Sequence, residues 1–371
     1  MPYRSALFSQ HEALEGRMAP FAGVLLPQAY KSERREVRSA VGSAAMTDWA
    51  FHGLLRVSGP DRTDFLNRLL SNSIPPAGRG CHAFLLNVAG KPVVETWLHA
   101  LEDELLLEVP RSLARTAVEQ FNHYHFTERL QIRDASAEFS PIAVLGPSAR
   151  KVLEGVAAGD LSGGVGRLKV GRLRGGGSVE AWCSRSGTLA VDTFVLWVPC
   201  EEAGRVWERL LHTRNKPAPV GTGAVEVLRV EAGSPRFEAD YDDTTLFLEM
   251  APPDSYSETK GCYIGQEVVA RVLHRGHVNR RLVGIRADAG KKEIQGKLFA
   301  DGREVGRVTS SVVSPEFGPI ALGYVRRENW HAGTALQAEK GRAVRVHELP
   351  FRPSARVSGE AELHALDAAP A

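Results

Sequence analysis

The chain has 371 residues, 43% of them hydrophobic, and a formal net charge of +2. Such a length holds a sizeable core in two or three domains. The near balance of charge leaves no global field for nucleic acid or an anionic membrane, so strong nucleic-acid binding is not expected. Four cysteines, at 81, 183, 200 and 262, form no Cys-x-x-Cys and are too scattered for a disulfide framework. Met1-Pro2-Tyr3-Arg4-Ser5 opens no signal-peptide apolar stretch, and no apolar run reaches the length of about 18 residues that spans a membrane. The expected compartment is the cytoplasm, without direct membrane association.

Residues 31–45, with Val37, Ala40 and Val41 among charged residues, predict an amphipathic helix. A strand over 53–58 follows, ended by Gly59-Pro60. Asp61 then starts a helix carrying Phe65, Leu66, Leu69 and Leu70 on one face. Residues 83–88 and 93–101 read as strands about Gly90-Lys91-Pro92. A strand at 104–109, a helix at 111–122 and a strand near 129–134 complete the unit. A second block repeats the order: strand 142–145, helix 148–157, strands near 168–174 and 178–184 about Gly175-Gly176-Gly177, strand 193–198 and helix 201–213. The repeated strand–helix–strand–strand–helix–strand order predicts an α+β sandwich. After Arg280, short strands at 282–285, 297–300, 303–310, 320–325, 335–337 and 343–347 lie between glycines, as in a small all-β barrel. The expected domains are 1–140, 141–278 and 279–352, with a tail at 353–371 that lacks periodicity.

The densest chemistry is one octapeptide, Lys260-Gly261-Cys262-Tyr263-Ile264-Gly265-Gln266-Glu267. Two glycines mark tight turns or close backbone approach. Lys260 and the amino end of a helix starting near Gln266 are placed to favour a thiolate at Cys262. A surface turn with an inert cysteine is the alternative. No second cysteine lies nearby in sequence, so no permanently bound metal is expected. His123 and His125 would share one side of a strand, but no third ligand accompanies them. His274 and His277, with Arg271, Arg280 and Arg281, form a basic segment after the octapeptide.

Lys260–Glu267, continued by Val268-Val269-Ala270-Arg271, resembles the signature of the YgfZ-type folate-binding proteins, in the superfamily of the glycine-cleavage T-protein, an aminomethyltransferase. Leu228-Arg229-Val230-Glu231-Ala232-Gly233-Ser234-Pro235-Arg236 and Asp240 resemble the segment preceding it. Met46-Thr47-Asp48-Trp49 and the 54–66 stretch resemble the first strand–helix unit, and 306–311 and 321–325 the C-terminal barrel. The resemblance implies two interleaved ferredoxin-like units plus a C-terminal β-barrel around a central pocket for tetrahydrofolate. It implies an aromatic wall at Trp49 and polar contacts from Arg229, Glu231, Asp240, Gln266 and Glu267. Arg229 and Glu231, two apart on an expected strand, would share a face, whether for a ligand or for a structural ion pair.

The departures bear on function. The acidic pair of active T-proteins falls on Val94 and Glu95, so its first aspartate is lost, and Glu95 faces the other way on a strand. The family's Gly-Glu-Asp-Gly stretch is also missing, with Gly187-Thr188-Leu189-Ala190-Val191-Asp192 in its place, and Val225 stands where relatives carry a second tryptophan. The implied function is therefore a folate-binding accessory factor in iron–sulfur cluster assembly or repair, supporting tRNA modification. It would act through Cys262 and Lys260, with iron–sulfur assembly proteins or client iron–sulfur enzymes as partners. The alternative is a tetrahydrofolate-dependent aminomethyltransferase, methyltransferase or demethylase using Glu95.

Overall fold

The computed structural model describes residues 2–171, 175–290 and 292–353; most of the expected tail, and the end of the strand expected over 168–174, lie outside the described residues. Two antiparallel-based sheets and a closed barrel form the body. The first sheet has five strands in the order Gly80–Leu86, Pro92–Ala100, Glu104–Pro110, His52–Ser58, Gln131–Asp134. Helices Arg62–Asn67 and Ala114–His123 cover one face of it. Phe65 and Leu66 from the first helix and Ala117 and Phe121 from the second are buried there against Leu55, Val94 and Leu107. Each large apolar side chain so buried stabilises by about 1.5–3 kcal/mol.

The second sheet is ordered Ala157–Ala158, Val165–Val170, Val179–Ser186, Thr193–Pro199, Phe139–Leu145, Ala45–Asp48, Ala218–Pro219. Its helices are Ala149–Glu154 and Ala203–Leu211. The first sheet thus has five strands and the second seven, where the repeated pattern read from sequence has four. The units are interleaved: Ala45–Asp48 precedes the first sheet in the chain but pairs with Phe139–Leu145 in the second. A linear cut at 140 therefore does not follow sheet membership. A three-stranded sheet of Tyr3–Arg4, Val24–Ala29 and Arg17–Phe21, which the sequence reading did not foresee, packs at the N-terminus.

The barrel closes in the order Arg280–Ala287, Gly318–Arg326, Arg303–Ser314, Lys297–Ala300, Ala335–Ala338, Arg342–His347. All six predicted strand positions are present. The helix Thr222–Ala232 joins the parts. It corrects the expected strand carrying Arg229 and Glu231: residues two apart on a helix diverge by about 200° instead of sharing a face. The helix is buried nearly all round, so it shows no polar stripe by which to recognise it. His123 and His125 lie at a helix end and in the turn after it, not on a strand; His125 Nε2 is 2.8 Å from the Glu128 carbonyl oxygen. No group of three metal-ligating side chains occurs among the described residues, and no helix among them is long and apolar enough to cross a membrane.

Candidate active site

The strand Pro92–Ala100 alternates sharply. Val94 is fully buried in the helix-covered core, whereas Glu95 points from the opposite face. There His82 and Phe84 of the neighbouring strand pair with Trp97 and Glu95. Glu95 Oε1 lies 2.8 Å from His82 Nε2, and Glu95 Oε2 accepts the Tyr241 hydroxyl at 2.5 Å. The His82 ring stacks flat on Trp97, with centroids 4.1 Å apart and planes 1° from parallel. Gly187, in the loop after Val179–Ser186, lies so close that a Cβ there would sit 3.1 Å from the Trp97 ring.

Glu95 therefore stands where three parts of the chain meet: the first sheet, the loop of the second sheet at Gly187, and the segment at Tyr241 that also packs with Tyr324 of the barrel. Burial, and secondarily the Glu95 charge, push the Tyr241 hydroxyl well above its ordinary range, so it remains a protonated donor. Two neighbours thus fix the carboxylate, while 13% of its side chain stays exposed. The sequence reading did not single out His82, Trp97 or Tyr241. Only the alternation of His82 with Phe84, and of Glu95 with Trp97, could have marked the first two.

A second polar group lies deeper. Trp49 Nε1 donates to Glu108 Oε1 at 2.8 Å, His52 Nδ1 is 2.8 Å from the same oxygen, and His99 Nε2 is 3.6 Å from Oε2. Burial favours the neutral acid, but His52 and His99 outweigh it and hold the Glu108 carboxyl well below the usual range. Trp49 is fully buried, its indole packed on Phe51 and His52. It is core, which corrects the expectation that it walls a ligand; Trp97, by contrast, is partly exposed.

The other expected ligand contacts are occupied within the protein. Arg229 donates to Glu226, Asp240, the Ser234 carbonyl and Ser310. Asp240 also accepts from Thr309 and the Arg236 backbone. Glu231 accepts from Ser314 and from Arg352. These groups fasten the helix Thr222–Ala232 to the barrel: all three guanidinium nitrogens of Arg229 donate within the protein, and the Asp240 and Glu231 carboxylates are fully buried. Gln266 Oε1 accepts from the Tyr263 backbone and so caps its own turn, while Glu267 is exposed beside Arg271. Asp192 pairs with Arg185.

Within the octapeptide, Gly265 adopts φ +81° and lies against the Asn87 carbonyl, where a side chain would clash; the helix Gln266–Arg275 starts there, as expected. Cys262 is exposed. Lys260 is not directed at it: its Nζ donates to the Leu70 and Asn72 carbonyls, both at 2.7 Å. Burial lowers its pKa to about 8, and the thiol whose charge it senses is Cys81. The expected activation of Cys262 by Lys260 is corrected accordingly.

Two family models match the chain: the GCVT N-terminal domain over residues 7–251, and the glycine cleavage T-protein C-terminal barrel domain over 280–352. The chain belongs to the glycine-cleavage T-protein family. The T-protein likeness extends along its length. The aminomethyltransferase of Thermus thermophilus is 31% identical over 359 residues, covering 94% of this chain and 99% of that one. That of Rubrobacter xylanophilus is 29% identical over 353 residues, covering 94% of each. The crystal structure of the glycine cleavage system aminomethyltransferase T from Bartonella henselae superposes with a TM-score of 0.83 at 24% identity, covering 95% of this chain and 99% of that one. That likeness shows that the arrangement of two sheets and barrel is the T-protein fold.

Proposed function

We propose that this protein is a tetrahydrofolate-dependent one-carbon group transferase, of the aminomethyltransferase, methyltransferase or demethylase type, in which Glu95 is the acid–base group. One observation carries the reading. A carboxylate at the junction of the sheets and the barrel is held by His82 and Tyr241 and remains reachable. The matching relatives named aminomethyltransferase support the same class.

The residues present suit a pteridine in kind. Trp97 offers a partly exposed aromatic face, Gly187 keeps the space beside it free of a side chain, and Glu95 supplies an acceptor. Tetrahydrofolate, when bound, supplies a nucleophilic nitrogen for the one-carbon unit. The chain's own part is to hold a proton at Glu95 Oε1 or Oε2. His82 and Tyr241 fix the carboxylate so that proton transfer needs no reorganisation. Val94 takes no part, because it faces the core. The test is calorimetric titration with tetrahydrofolate, followed by transfer assays with aminomethyl and N-methyl donors on wild type and Glu95→Gln. Binding without transfer in Glu95→Gln is the expected result. Undiminished transfer in that variant, or no binding at high micromolar tetrahydrofolate, overturns the reading.

A second reading rests on a different observation, the exposure of Cys262 in the signature turn. In it the chain is a YgfZ-type folate-binding accessory factor of iron–sulfur assembly or repair, supporting tRNA modification through an iron–sulfur client. A wild-type gene that rescues a strain lacking its relative, while Cys262→Ala does not, would favour it.

A further inference from the structure

The strand Gly80–Leu86, which carries His82, is an edge strand of the five-stranded sheet. An edge strand leaves a row of backbone groups without ladder partners. Here the turn at residues 70–72 supplies them. Ser71 N donates to the Phe84 carbonyl at 2.8 Å, and Ser71 Oγ accepts from Phe84 N at 2.9 Å. Asn72 Nδ2 donates to the His82 carbonyl at 3.0 Å and to the Asp254 carbonyl at 2.8 Å. Ser71 Oγ also donates to the Ser255 carbonyl at 2.6 Å. The turn is thus clamped between the edge strand and the segment leading into the octapeptide.

Lys260 closes this clamp from below. Its ammonium donates to the carbonyls of Leu70 and Asn72, the residues on either side of Ser71. From these contacts we infer that Lys260 is a positioning residue for Glu95, acting through the 70–72 turn and the strand that bears His82. The path is short and continuous: Lys260 to the Asn72 carbonyl, the Asn72 side chain to the His82 carbonyl, and the His82 ring to Glu95. Charge-assisted bonds are the strong kind, and their loss would leave two carbonyls unpartnered beneath the turn. Burial that lowers Lys260 to about 8 agrees with a cation drawn out of solvent to reach them. The octapeptide's lysine thereby serves the carboxylate instead of the thiol two residues away. The inference rests on the reading of Glu95 as the acid–base group, and its test separates the two.

The separating readout is Trp97, whose emission should report the imidazole stacked on it at 4.1 Å. Its contribution is isolated by subtracting the spectrum of Trp97→Phe in each background. In ligand-free Lys260→Met that contribution should change, with native far-UV circular dichroism. Transfer to tetrahydrofolate should fall about 10- to 100-fold, the cost of a small misplacement at a reacting group. Lys260→Arg, which can still donate to both carbonyls, should restore emission and bring transfer back to within about threefold. An unchanged Trp97 signal in Lys260→Met, or a loss that Lys260→Arg does not repair, overturns the inference. Should Lys260→Met fail to fold, Asn72→Ala cuts the link to His82 with the lysine in place, and it must reproduce the Trp97 change. If instead Glu95→Gln transfers normally, the functional reading fails while the emission arm still judges Lys260.

Discussion

Asp240 and Glu95 are two acceptor carboxylates, and the contrast between them separates scaffold from site. Asp240 is fully buried, charge-matched by Arg229 at 2.7 Å and saturated by Thr309 and the Arg236 backbone. Glu95 takes one contact on each oxygen, from an imidazole and a phenol, and keeps a solvent-facing edge. A saturated carboxylate can only hold the fold. One with capacity left and a fixed rotamer can act on something else.

Substitution at the two positions should therefore break different properties. The largest effect expected is on chemistry: Glu95→Gln should lower one-carbon transfer by about 10²- to 10⁴-fold, the usual contribution of a positioned acid or base. Folding should be nearly unaltered, as thermal melting of the variant would show. Arg229→Met should do the reverse. It strands Asp240 and Glu226 in the seam between the helix Thr222–Ala232 and the barrel, and removing one partner of such a pair costs about 3–5 kcal/mol. Urea unfolding measures that loss, and the remaining folded protein should bind tetrahydrofolate as wild type does. An Arg229→Met protein of normal stability that no longer binds would erase the distinction.

The same contrast explains what was legible beforehand. The barrel could be read because its strands are short, alternating and separated by glycines, and each of the six positions was foreseen. The helix Thr222–Ala232 was misread because Val225, Val227, Leu228 and Val230 are buried on every side, so neither period shows and the β-branched residues mimic a strand. The family resemblance implies ligand contacts at Arg229, Glu231 and Asp240, and no sequence pattern reveals that these groups are buried and bonded within the protein. Glu95 and Val94 are neighbours whose roles depend on which face the strand turns inward, and the ladder shifts register between Leu85 and Leu86 just beside them. His82 and Tyr241 reach Glu95 across 13 and 146 residues, a convergence that no local pattern encodes.

A smaller effect tests the octapeptide itself. Cys262 is exposed, so Cys262→Ala removes no packing and should change unfolding stability by no more than about 0.5 kcal/mol. Tetrahydrofolate affinity by calorimetry should likewise be retained. A large loss of affinity would move the thiol into the folate site and blur the division between the signature turn and the Glu95 cluster. Unaltered binding with failed complementation would assign the thiol a separate task.

The smallest effect compares the two cations. Burial opposes the charge of Arg229, but Glu226 and Asp240 more than compensate and raise its pKa. Lys260 meets carbonyls instead of carboxylates, so burial prevails and lowers it from 10.5 to about 8. The folded value lies below the unfolded one. Between pH 8 and 10.5 the unfolded chain therefore holds a proton that the folded chain has released, and this group's contribution to stability rises with pH across that window. Below about pH 8 the folded protein carries the whole cost of the buried charge, and the contribution is flat. Unfolding of wild type and Lys260→Met should be followed by denaturant at a series of pH values. Wild type should gain on the variant as pH rises through the window, by a modest amount because the ammonium is only half buried. A difference that stays level there, or declines, would mean that the cost of burying the ammonium is offset, by solvent or by its two carbonyl contacts.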